Sequence, residues 1–157
     1  VSGVDGLIVV DLSFPDNKNF AKLCKKNSIC FVQLIAPTTT FKRMKEIAKS
    51  SHEMIYMIST ISTTGSALKY SIKKIINNYN IIKRIKPSKN VVIGFGITEK
   101  TISNLRSADG LVVGSAICRE ITRSLKDRQN PVTNVSKLVR KLKKKLYELV
   151  KKNSEIR

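Results

Sequence analysis

The chain has few of the residues from which metal centres and nucleophilic sites are usually built. Its 157 residues include three cysteines, Cys24, Cys30 and Cys118, and one histidine, His52. The cysteines are odd in number and have no CxxC spacing, which argues against both a disulfide framework and a thiolate zinc site. They read as small buried hydrophobes. His52 lies in "AKSSHEM" without the carboxylate and cysteine set of a metal site or a triad, and reads as a loop or helix-end residue. Long apolar runs are missing too. None approaches the ~20 residues needed to cross a bilayer. The opening "VSGVDGLIVVDLSF" carries no basic leader, long apolar core or cleavage signature, so the expectation is a cytoplasmic protein.

Acidic residues are scarce, 11 against 30 Lys and Arg, for a net charge of +19. Such a charge draws phosphate backbones and anionic membranes, and a basic nucleic-acid-binding module is one reading of it. The lysines are spread over several segments, however, and the basic stretches hold few of the aromatics or glycines on which single-strand binders stack bases. The joint abundance of Lys, Asn and Ile also fits an AT-rich coding sequence in which lysine fills tolerant surface positions.

What the sequence does have is order. An apolar fraction of 41% in 157 residues suits one domain with a real core. Apolar runs of strand length alternate with longer segments of helical period, the pattern of βα units around a parallel sheet. Strands are expected at residues 6–12, 29–37, 54–59 and 90–93, and from residue 109 a fifth runs into the start of a helix. Helices are expected at residues 15–27, from a cap at Thr40 with Met44, Ile47 and Ala48 on one face, and at residues 68–86. The last carries Ile72, Ile75, Ile76, Ile82 and Ile85 as its buried stripe, with Pro87 as its stop. Residues 60–66 read as a polar loop. A short helix beginning at Thr98 or Thr101 includes Ile102 and Leu105. Residues 134–152 form an amphipathic helix that closes the outside of the domain, with Val135, Leu138, Val139, Leu142, Leu146 and Leu149 three or four apart.

In parallel α/β folds the ligand lies at the carboxyl ends of the strands, where loops enter helices whose first N–H groups are free. Three glycine-bearing turns stand at such ends: Thr64-Gly65, Gly94-Phe95-Gly96 and Gly114-Ser115. A phosphate dianion needs several inward N–H donors, and backbone approaches that closely only where no side chain intervenes. Each glycine alone is as compatible with a tight turn as with a ligand. "GFGITE" is not the dinucleotide fingerprint, since the third glycine and the downstream acid are missing. "GLVVGSAI", a buried strand opening through Gly-Ser into a helix, matches the phosphate turns of (βα)₈ barrels.

In order along nearly the whole chain, "GVDGLIVVDLSFPD", "LIAPTTT", "YMISTISTTGS", "VVIGFGIT" and "ADGLVVGSAI" resemble the fourth to eighth strands and following loops of the tryptophan synthase α-chain family. Other ribulose-phosphate-binding barrels share the last glycine turns but not the first two segments. The resemblance implies an incomplete α/β fold, a TIM (β/α)₈ barrel from strand 4 to strand 8, in one domain over residues 1–157. It implies the retro-aldol cleavage of indole-3-glycerol phosphate to indole and glyceraldehyde 3-phosphate, a lyase step of tryptophan biosynthesis. It implies no cofactor in this chain and no metal, pyridoxal phosphate belonging to a partner β chain in an α2β2 heterotetramer. By position, Gly65, Gly96, Gly114 and Ser115 match the phosphate-binding turns. Tyr56 matches a strand-end tyrosine, Phe95 an indole-pocket aromatic and Thr64 the mobile-loop threonine.

Some positions depart from the family pattern. Ser62 stands where the loop usually begins with glycine, and the usual second proline after the fourth strand is altered in "DLSFPD". The family's general acid/base pair, a glutamate ending the second strand and an aspartate shortly after it, has no counterpart in these residues. The chain starts at Val1 with about five strand candidates, so the expectation is a fragment or a gene that has lost its front, inactive by itself. Another phosphate-sugar barrel, such as an epimerase, would need metal ligands or an acid pair for which the sequence offers no candidates.

Overall fold

The computed structural model describes residues 3–63, 66–69, 71–94, 97 and 101–154, with backbone only for 60–63, 66–69 and 149–154. They fall into two compact units, Val1–Ile93 and Gly94–Arg157.

The first unit repeats strand and helix. Strand β1 (Gly6–Leu7) runs parallel to β2 (Cys30–Phe31), pairing Gly6 with Cys30 and Leu7 with Phe31. The approach is close at Gly6: a Cβ there would stand 3.1 Å from the Cys30 carbonyl oxygen. Between them lies α1 (Lys18–Lys26). Strand β3 (Gln33–Ile35) runs parallel to β4 (Met54–Ile58), and α2 (Phe41–Ser50) connects them. Thr40 caps α2 as expected, its hydroxyl accepting from the Arg43 N–H at 3.4 Å. Strands β5 (Thr60–Thr63) and β6 (Ser66–Lys69) follow, then α3 (Ile72–Ile85) and β7 (Asn90–Gly94). Strands β3, β4 and β7 are neighbours in that order in one sheet.

Burial alternates along the strands of this sheet. Ile35, Ile55, Met57, Val91 and Ile93 are buried, while Leu34, Tyr56 and Val92 are half-buried. The period of two separates a covered face from a less covered one. Met44, Ile47 and Ala48 of α2 and Ile75, Tyr79 and Ile82 of α3 complete the core, and the two helices pack on each other. Ile47 and Ala48 are buried because they fall one turn beyond Met44 on the same stripe.

Three readings of this unit change. The run at residues 6–12 forms only a two-residue strand, and Val4, Ile8 and Val10 are exposed. An all-apolar run is a buried parallel strand only with cover on both sides, and among the described residues β1 pairs with β2 alone. The expected strand at 29–37 is two pieces broken at Val32, whose N–H donates to the Leu7 carbonyl at 2.9 Å. The expected loop at 60–66 and the first residues of the helix expected from 68 instead pair as an antiparallel hairpin, Thr60 with Lys69 and Thr63 with Ser66. Helix α3 accordingly starts later, capped by Ser71, whose hydroxyl accepts from the Lys74 N–H at 3.3 Å.

A buried amide pair ties the segment before α1 to the start of β3. Asn17 Nδ2 donates to Gln33 Oε1 at 2.9 Å and to the Leu12 carbonyl at 3.2 Å, and Gln33 Nε2 donates to Asn17 Oδ1 at 3.4 Å. Both side chains are buried. Gln33→Leu leaves Asn17 Oδ1 without the Gln33 donor, away from water, which costs about 1–3 kcal/mol. Urea denaturation of the two proteins checks this, and an unchanged midpoint would contradict it.

The second unit holds a 3₁₀ turn (Ile102–Leu105), β8 (Gly110–Val112), α4 (Ser115–Lys126) and α5 (Pro131–Ser154). Helix α5 packs on α4 and on the 3₁₀ turn. Pro131 suits a first helical position, where its missing N–H has no acceptor to lose, and Asn130 Oδ1 caps the helix by accepting from the Thr133 N–H at 3.1 Å. The expected stripe of α5 is graded: Leu142 is buried, Val135, Leu138 and Leu146 are half-buried, and Val139 is exposed. Of the cysteines, Cys24 is buried, Cys30 half-buried and Cys118 exposed, so the expectation of small buried hydrophobes fails at Cys118 on α4.

Candidate functional site

Helix α4 begins directly behind β8, and Gly114 is its N-terminal cap. The Gly114 carbonyl accepts from the N–H groups of Ile117 at 2.9 Å and Cys118 at 3.1 Å. The N–H groups of Ser115 and Ala116 lie ahead of that ladder, and no side chain caps the helix. Two donors therefore stand at the positive end of a twelve-residue helix with no acidic residue in its first turn. A Cβ built on Gly114 meets nothing within 4 Å, so no atom of the described residues requires glycine at that point. What glycine secures is an unobstructed approach to the donors, the geometry a phosphate oxygen requires.

Tyr56 occupies the middle of β4, with Leu34 of β3 as its Cα partner. It stands on the less covered face while its neighbours Ile55 and Met57 are buried. Burial pushes its phenol above the usual tyrosine range, so it stays protonated at neutral pH. Such a side chain offers an aromatic face and a polar tip together.

Of the seven residues singled out from sequence, Tyr56, Gly114 and Ser115 are described as above. Thr64, Gly65, Phe95 and Gly96 lie outside the described residues. Ala116 was not singled out, although its N–H is the second free donor. A free second amide is common to every helix start, so the residue type gives no signal of it. His52 follows α2 in a short connection, as expected of a helix-end residue. Among the described residues no three His, Cys, Asp or Glu side chains cluster as metal ligands, and no helix is long and apolar enough to cross a membrane.

Strand and helix in alternation, parallel pairing, and a strand opening through glycine into a helix define part of a (βα)₈ barrel. The fold of this chain matches the alpha subunit of tryptophan synthase from Legionella pneumophila with a TM-score of 0.75 over 93% of this chain and 53% of that one; at 23% identity this bears on fold alone. The family model of the tryptophan synthase alpha chain matches residues 1–147. The alpha chain of Pelagibacter ubique is 63% identical over 144 residues, 92% of this chain and 54% of that protein. That of Aquifex aeolicus is 36% identical over 151 residues, 93% of this chain and 54% of that protein. A solved tryptophan synthase α2β2 complex from Pyrococcus furiosus matches at 32% identity with a TM-score of 0.66, over 94% of this chain and 56% of that one. This chain belongs to the tryptophan synthase alpha-chain family, and it spans about half the length of the curated relatives it matches.

Proposed function

We propose that this chain supplies the phosphate grip and part of the indole pocket for the family's reaction, the cleavage of indole-3-glycerol phosphate to indole and glyceraldehyde 3-phosphate. One observation carries the grip: α4 starts on an open glycine with two free N–H donors. Gly114 and Ser115 bind the substrate phosphate, and Gly65 and Gly96 add donors from the other two glycine turns. Tyr56 and Phe95 border the indole, and Thr64 helps close the loop over it.

The proposal places the reaction in tryptophan biosynthesis in the cytoplasm, as a lyase step without a cofactor or metal of its own. A β chain holding pyridoxal phosphate consumes the indole within an α2β2 assembly; the Pyrococcus furiosus relative is described as such a complex. Phosphate binding holds substrate and transition state alike, so the grip contributes affinity and orientation. The proton transfers of the retro-aldol step require an acid and a base. The family pattern puts both at and after a second barrel strand, outside these residues. The basic nucleic-acid module finds no support in the Pelagibacter ubique and Aquifex aeolicus relatives, both of which are alpha chains.

Gly114→Glu tests the reading. Its φ of −115° is one that any L residue adopts, and a Cβ enters open space, so the fold is retained. A carboxylate at the helix start competes with the phosphate and repels it. Calorimetric titration with glycerol 3-phosphate is expected to show binding weakened by about tenfold or more, equivalent to ~1.4 kcal/mol. Undiminished affinity would contradict the grip.

A further inference from the structure

A cavity of about 480 Å³ lies wholly within the first unit, at the N-terminal ends of β3, β4 and β7. It is therefore distinct from any turn that follows a strand. Six lysines line it, Lys18, Lys22, Lys25, Lys49, Lys86 and Lys89, and no carboxylate does. Two of these ammonium groups are already engaged. Lys18 stands over the Phe14 ring at 4.9 Å, and buried Lys89 donates to the carbonyls of Ser51 and His52. Lys22, Lys25, Lys49 and Lys86 are exposed and enter no ion pair among the described residues.

Like charges around one concavity repel each other, and a wall of protein on the other side keeps water from screening them fully. The effect is felt at Lys89. Burial first, and then the neighbouring Lys86 and Lys25, push its ammonium below the usual lysine range, against the opposing pull of Cys30 and Glu53. The floor is polar where it is not apolar. Nδ1 of His52, which lines the cavity, is buried and has no hydrogen-bond partner among the described residues.

We propose that this cavity binds a small oligophosphate, a chain of two or more linked phosphate groups. Four unpaired ammonium groups around one concavity exceed what a single phosphate dianion neutralises, and the volume falls in the range of small-molecule sites. Because these lysines line one pocket, the fit is to a compact ligand and not to a nucleic-acid strand, which a continuous track would suit.

The test is an NMR titration of the 157-residue chain with sodium tripolyphosphate, ATP, inorganic phosphate and a single-stranded oligonucleotide. The reporters are the His52 ring and the Ser51 amide, which separate this cavity from the substrate grip at Gly114. Saturable shifts of both with tripolyphosphate and ATP, and not with phosphate at the same concentration, are expected. Lys22→Glu together with Lys49→Glu should weaken that binding by about tenfold or more, while reversing Lys143 and Lys144 on α5 should change it by less than about twofold. Equal weakening by both pairs would reduce the effect to diffuse charge and overturn the proposal. Silence at His52 and Ser51 would overturn it as well. So would shifts there that inorganic phosphate reproduces, or that the oligonucleotide produces at lower concentration.

Discussion

Incubated alone with indole-3-glycerol phosphate, the 157-residue polypeptide is expected to release no indole above the solution background. On the proposed reading, the residues available to it bind and orient. Gly114 and Ser115 present N–H donors, and Tyr56 presents a protonated phenol beside an aromatic face. None of this moves a proton onto the indole C3 or off the glycerol hydroxyl, the two transfers that breaking the carbon–carbon bond requires. Each positioned acid or base contributes about 10²–10⁴-fold, so the absence of both removes the turnover. Fusing the N-terminal portion of the Pelagibacter ubique alpha chain ahead of Val1 should restore indole release, since the two chains are 63% identical where they overlap. Turnover by the 157 residues alone, measured by indole colour reaction against a heat-treated control, would contradict the division of labour.

Ile55→Ala is expected to be among the most damaging single core substitutions in the first unit. Ile55 is fully buried in the middle strand of the β3–β4–β7 sheet, and its neighbours on the covered face, Ile35 and Met57, are buried as completely. Removing three carbons from such a site loses their transfer free energy and leaves a cavity that close-packed neighbours refill only in part, a cost of about 2–5 kcal/mol. Small domains have about 5–15 kcal/mol of stability in all, so the variant should unfold at a much lower urea concentration. Val10→Ala, at a side chain 69% exposed, should stay within about 0.5 kcal/mol. Similar midpoints for the two variants would contradict the placement of the core.

The elements read most directly from sequence were those whose own residues satisfy them. Helix α2 has its hydroxyl cap at Thr40 and its stripe of Met44, Ile47 and Ala48 close together in the chain, and both survive in the structure. Strand β7 likewise keeps its β-branched run, ending one residue past the expected boundary. Failures occur where an outside partner decides. The run after Gly6 looks like a buried strand by composition, but pairing extends over only two residues, leaving Val10 largely exposed. The β5–β6 hairpin is hidden by its letters: Thr and Ser read as loop and Leu68-Lys69 as the start of a helix, yet two four-residue runs joined by two residues ending in glycine are also a hairpin pattern. The site divides in the same way. Gly114 and Ser115 announce themselves because a strand runs through glycine into a helix, whereas the lysine-lined cavity joins residues from Lys18 to Lys89 that no local pattern relates.

Where the phosphate sits is tested most directly by a residue-resolved amide titration with glycerol 3-phosphate. Saturable shifts of the Gly114, Ser115 and Ala116 amides, sharing one dissociation constant, are the predicted result. Shifts confined to the lysines of α5, or none at the start of α4, would contradict the assignment of this helix as the substrate's phosphate grip.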